Sequence, residues 1–136
     1  MENKCPFAAP ITSGRAACRF AREVVRRGGS EYDCNEPGAH QRCVDAHAHL
    51  KAVGLEAFDV EDDLASMPHS ILVKIQSGGL AGLQRLLGEG CGPIEDIDRL
   101  VDRGLQHFGG LDSVPFGQLA FDMTEHKLER RTRRRR

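Results

Sequence analysis

The sequence predicts an all-α fold, a single compact domain of about five helices, and three observations predict it. Apolar residues recur at helical spacing through PIEDIDRLVDRGLQHF and again through VPFGQLAFDM. Glycine pairs at 28–29, 78–79 and 109–110 punctuate the chain where such stretches end. One run alternates as a strand would, Ile71, Val73 and Ile75, but the sequence offers it no second strand to pair with. The domain is expected over residues 1–126, with a metal- or cluster-bearing cysteine-rich region at 1–53. Residues 127–136 are expected to form a disordered Arg-rich tail.

The first helix is expected through GRAACRFAREVVRR, capped by Thr12 or Ser13 and stopped by Gly28-Gly29. On it Ala17, Phe20, Ala21 and Val24 share one face. Arg15, Arg19, Arg22 and Arg26 form a stripe opposite, with Cys18 on the flank. SEYDCNE is a turn-rich connection. Pro37 then suits the first turn of a second helix, which the spacing ends before Gly54. A third helix is expected to start near Ser66 and Pro68 and to break or kink at Gly78-Gly79, with LAGLQRLL continuing beyond. Ile94, Ile97, Val101, Leu105 and Phe108 define a fourth, ended by Gly109-Gly110. A last helix, capped by Ser113, buries Phe116, Leu119, Ala120 and Met123.

A chain of 136 residues can close one hydrophobic core, and 40% apolar with 29% charged residues is ordinary for a globular protein. No apolar run approaches the ~20 residues that span a bilayer. The first residues lack the apolar stretch of a secretory signal, so a cytoplasmic protein without membrane association is expected. The net charge of −1 conceals an asymmetry. KLERRTRRRR carries seven Lys/Arg and one Glu, or +6, and the other 126 residues carry 12 Lys/Arg against 19 Asp/Glu, or −7.

Four of the five cysteines fall within the first 43 residues, as Cys5-x12-Cys18-x15-Cys34-x8-Cys43. Stable disulfides are uncommon in the cytoplasm, and five is an odd number, so a fully paired disulfide framework is not expected. Four thiolates suffice for a tetrahedral zinc site or an iron–sulfur cluster. Structural zinc sites usually include a tight C-x₂₋₄-C pair, which is missing, whereas cluster ligands bind separate irons and tolerate wider spacing. An iron–sulfur cluster on Cys5, Cys18, Cys34 and Cys43, [4Fe–4S] ahead of [2Fe–2S], is therefore the expected cofactor, with zinc as the alternative. Cys-Pro at 5–6 also occurs at one ligand of bacterial ferredoxins, but the remaining intervals depart from the ferredoxin run. Buried free cysteines also act as small hydrophobes, which suits Cys18 and Cys43 better than Cys5 and Cys34 in their polar surroundings. His40, Cys43 and His47 fall on one arc of the second helix, making His47 a backup ligand. Cys91, in GEGCGP, reads as a solitary loop thiol.

Other motifs fail. DAHAHL has the H-x-H of amidohydrolases but not the chain length for their barrel. SGGLAGLQRLLGEG lacks the lysine of a phosphate-binding loop, and its glycines suit close helix packing instead. DVEDDL lacks the spacing of a calcium loop. With no catalytic constellation, an enzyme is not expected. The expected role is electron transfer to, or redox support of, a partner enzyme, an acidic one if the arginine stripe guides it. A nucleic-acid-binding redox or metal sensor anchored by the tail is one alternative, and a zinc-stabilised adaptor is the other. A single-strand binding platform is disfavoured by the scarcity of aromatics, with no Trp and one Tyr.

Overall fold

The computed structural model describes residues 4–26, 29–59, 69–90 and 92–126. A short helix α1 (Ala8–Thr12) is followed by an antiparallel hairpin of β1 (Ala21–Arg26) and β2 (Gly29–Cys34). Four further helices follow: α2 (Pro37–Ala57), α3 (His69–Leu86), α4 (Ile97–Phe108) and α5 (Ala120–Glu125). Two 3₁₀ turns, Leu111–Ser113 and Phe116–Leu119, lie between the last two. The fold is mostly helical, with a small two-stranded sheet.

That sheet corrects the expected first helix. Residues 15–20 run through bends and turns, and 21–26 form a strand. Val24 and Val25 are β-branched and weaken a helix. Gly29, one of the two glycines read as a helix stop, is the first residue of β2. Pairing outside the hairpin holds the extended form. Ala16 bridges Ile94 in parallel, Ala17 N–H donates to Ile94 O at 2.9 Å, and Ile97 N–H donates to Ala17 O at 2.8 Å. A helix over 14–27 would forfeit the bridge and both bonds.

Helix α2 starts where Pro37 predicts, with the Glu36 carboxylate accepting from Gly38 N–H at 2.6 Å. It runs past Gly54 because that glycine faces Ile75 and Met123 with no room for a β-carbon. Its buried residues, Ala39, Cys43, Ala46, Leu50 and Gly54, follow the helical period and form one face. Helix α3 is likewise continuous through Gly78-Gly79, where a break was expected. A β-carbon on Gly78 would stand 2.6 Å from Met123 Cα, so the pair allows α5 to approach instead of bending α3. The expected start at Ser66 and Pro68, and the acidic DVEDDL segment beyond Asp59, lie outside the described residues.

Helix α4 ends at Gly109, whose φ of 86° gives the left-handed cap that glycine accommodates. Phe116, Leu119 and Met123 are buried as expected, although Phe116 and Leu119 sit in a 3₁₀ turn and α5 proper is one short helix. The core joins α2, α3, α4 and α5, and Phe7, fully buried, plugs the N-terminal arm into it. Among the described residues no helix is long and apolar enough to cross a membrane.

Candidate metal or cluster centre

The fold brings four thiols together from four segments. Cys5 lies on the N-terminal arm, which pairs with β2: Lys4 bridges Asp33, and Cys5 N–H donates to Tyr32 O at 2.9 Å. Cys18 follows the Ala16–Ile94 bridge and accepts at its sulfur from the backbone amides of Phe20 and Asp98. Cys34 ends β2 opposite Ala21, its thiol donating to Glu36 O at 3.4 Å. Cys43 sits on the buried face of α2. All four are free thiols and line one pocket, with Pro6, Ala21, Ala39 and Ile97 as its apolar wall and His40 and Asp98 as its other polar members.

The pocket is tight, leaving about 10 Å³ of free space. Burial pushes the Cys5 thiol up to about 11, against the pull of the Phe7 amide, and Cys18 and Cys34 push it the same way. Burial also raises Cys18, with Asp96 and Asp98 adding to it and the Phe20 and Asp98 amides opposing. Cys43 is raised furthest, first by burial and then by the other three cysteines and Asp98. Cys5 and Cys43 thus sense the charge that neighbouring thiols would carry. The site favours neutral thiols until a positive centre replaces their protons. As the thiols stand, no group of three or more His, Cys, Asp or Glu among the described residues is set to hold a single metal ion.

Beside the cysteines lies an ionic feature that the sequence reading missed. Asp98, only 1% exposed, accepts from Arg19 at 2.8 Å and from Arg42 at 2.7 Å, while its backbone amide serves Cys18. The only sequence signal was its place among three acidic residues at the start of α4, which helix-end charge already explains. Arg19 also reaches Asp96 at 3.4 Å and lies over the Phe20 ring.

These contacts correct the arginine stripe. Arg15, Arg19, Arg22 and Arg26 share no helix face: Arg19 is held by Asp96 and Asp98, Arg22 and Arg26 fall on β1, and Arg15 lines a different cavity. The histidine reading also changes. His40, not His47, lines the thiol pocket, and its Nε2 meets Lys4 O at 2.9 Å. His47 lies one turn further along α2, edge-on to Phe7 at 5.5 Å, with a buried Nε2 that has no hydrogen-bond partner. Burial, then Lys51, lowers it to about 4. Cys91 and the tail at 127–136 lie outside the described residues.

Fold and site together define a small helical protein with a four-thiol pocket closed by a β-hairpin. Comparison with known proteins yields no match, whether to a family profile, a curated protein or a solved structure.

Proposed function

We propose that the chain holds an iron–sulfur cluster on Cys5, Cys18, Cys34 and Cys43 and serves electron transfer to, or redox support of, a partner enzyme. The observation carrying this reading is the convergence, in one pocket, of cysteines from an arm, a turn, a strand end and a helix. The donor set suits the group: thiolates are the usual cluster ligands, and amide donors to sulfur stabilise the thiolate form, as Phe7, Phe20 and Asp98 do here. A [2Fe–2S] centre takes its thiolates in pairs on each iron, whereas a [4Fe–4S] centre takes one per iron, which fits four separate segments better. A single tetrahedral zinc ion draws its sulfurs to ~2.3 Å from one point, a closer gathering than cluster ligation requires.

When bound, the cluster supplies a one-electron couple. The chain's own residues do the rest. Phe7, with the apolar wall of the pocket, keeps water from the core side, and His40 fixes the arm that carries Cys5. Asp98 cancels charge from Arg19 and Arg42 beside the site. Admitting a four-iron core requires the thiols to rotate apart from their present tight packing. With these four arginines dispersed, the acidic character expected of a partner has no single basic face to rest on among the described residues.

The test is anaerobic purification followed by a visible spectrum and by iron, sulfide and zinc content per chain. Brown protein with stoichiometric iron and sulfide, and a reversible one-electron couple, is the expected result. Zinc without iron would move the case to a zinc-stabilised adaptor. Failure to take up iron and sulfide on reconstitution would overturn the four-cysteine site itself.

A further inference from the structure

The residues beside two of the thiols meet at one buried carboxylate. Arg19 directly follows Cys18, and Arg42 directly precedes Cys43. Arg19 donates from Nη2 to Asp98 Oδ2 at 2.8 Å, and Arg42 donates from Nη2 to Asp98 Oδ1 at 2.7 Å. Both oxygens are thereby taken, and the Asp98 backbone amide adds a bond to the Cys18 sulfur.

The turn that carries Cys18 lies along the entry to α4. Ala17 N–H donates to Ile94 O, Ile97 N–H to Ala17 O, and Arg19 N–H to Asp96 Oδ1 at 3.4 Å. These bonds fix Cys18 to α4 but do not reach α2. Asp98, near the start of α4, spans the remaining gap to the helix that carries Cys43.

Charge alone does not account for a carboxylate here. Burying one is costly unless its oxygens are held. Its charge also pushes Cys18 and Cys43 away from the thiolate form that a bound centre requires. On electrostatics alone, the site would hold an anionic cluster better with Asp98 neutral. What the carboxylate supplies is geometry: two charge-assisted bonds, each ending on the neighbour of a ligand.

We propose that Asp98 is a positioning residue for the centre, setting the separation of Cys18 and Cys43 through Arg19 and Arg42; this rests on the cluster reading. The effect on ligand geometry outweighs the adverse charge, and that gives the test its sign.

The test compares wild type with Asp98→Asn, Arg42→Gln and a control, Asp122→Asn. Asp122 holds Arg85 by bonds of 3.0 and 2.7 Å and lines no part of the thiol pocket, so the control breaks an ion pair elsewhere. Each full-length protein is reconstituted with iron and sulfide and then exposed to bipyridyl. Loss of the visible absorption gives the rate, and the EPR signal of a three-iron core reports escape of one iron. Asp98→Asn and Arg42→Gln are both expected to shed the cluster at least about tenfold faster than wild type, with the three-iron signal growing in each. Charge alone predicts opposite effects, because one variant removes a negative charge and the other a positive one. Asp122→Asn is expected to match wild type. Unchanged or slower loss in Asp98→Asn would overturn the inference, as would equally fast loss in the control. A wild type that takes up no iron and sulfide would remove the cluster reading and this one together. Normal loading and retention in both wild type and Asp98→Asn would remove this one alone.

Discussion

The metal-free protein should be unusually sensitive to alkali, and Cys5 lets the size of the effect be worked out. Its thiol is raised from an ordinary 9.0 to about 11, by burial first and then by Cys18 and Cys34. A raised acid means that the fold prefers the protonated form. Its contribution is therefore fully present below pH 9 and is lost as pH rises through 11. Two pH units at ~1.4 kcal/mol each amount to about 3 kcal/mol. Urea unfolding of reduced, metal-free protein should then show the wild type losing about 3 kcal/mol more than Cys5→Ala between pH 9 and pH 11. Other residues titrate in that range in both proteins, so the difference reports the Cys5 thiol together with its charge coupling to the neighbouring cysteines. Parallel losses in the two proteins would refute the burial argument at Cys5. Loading reverses the sign, because a bound centre requires thiolates and releases protons, so the occupied site strengthens as pH rises. Opposite alkaline slopes for metal-free and loaded protein are therefore a signature of occupancy.

Four further outcomes follow from the packing and from the charges beside the site. His47, lowered to about 4 by burial and Lys51, contributes stability that is present above pH 6.5 and lost as pH falls through 4, about 3 kcal/mol in all; His47→Phe should flatten that acid limb in pH-dependent urea titrations. Gly78→Ala should cost about 3 kcal/mol, because its β-carbon meets Met123 Cα at 2.6 Å and Asp122 O at 2.7 Å, both backbone atoms. Gly79→Ala should cost far less in the same melts, since its neighbour is the Leu50 side chain at 3.0 Å, which can yield. Asp98→Asn leaves the charges of Arg19 and Arg42 uncancelled beside the thiols, so it should raise the reduction potential of loaded protein by on the order of tens of millivolts in a spectroelectrochemical titration; an unchanged or lowered potential would count against that electrostatic role.

The C-terminal half was legible because its helices depend on local pattern. Ile97, Val101 and Leu105 lie on the inward side of α4, and Gly109 ends it, since spacing and a left-handed cap act within a few residues. The crowding of cysteines was equally visible, and the chain does gather these four in one pocket. The hairpin was not visible. Ala17, Phe20, Ala21 and Val24 satisfy a helical stripe as well as real helices do. What decides against it is pairing with β2 and with Ile94 and Ile97, the last two far off in sequence. The exchange of His47 for His40 has a similar origin. A helical arc places both beside Cys43, but the Cys5 arm crosses α2 at His40, and Phe7 covers His47. Asp98 stayed hidden for the same reason, because its partners Arg19 and Arg42 come from a turn and another helix.

The hairpin explains why the thiols stand where they do. A two-stranded sheet is marginal on its own in water, and this one leaves Val25 80% exposed, so apolar burial does little to hold it. Among the described residues its attachments include the Lys4–Asp33 bridge, the bond from Cys5 N–H to Tyr32 O, and the ion pair of Lys4 with Glu31. The packed part of the molecule, by contrast, is α2 to α5 with Phe7 inserted. Cys34 belongs to the weakly held part and Cys43 to the strongly held one, while Cys5 and Cys18 stand at the two seams between them. A centre bound to all four would cross-link these parts at the place where side-chain packing is thinnest. On this reasoning a bound cluster would contribute to the fold as well as to the chemistry, and its gain or loss would act first on the hairpin.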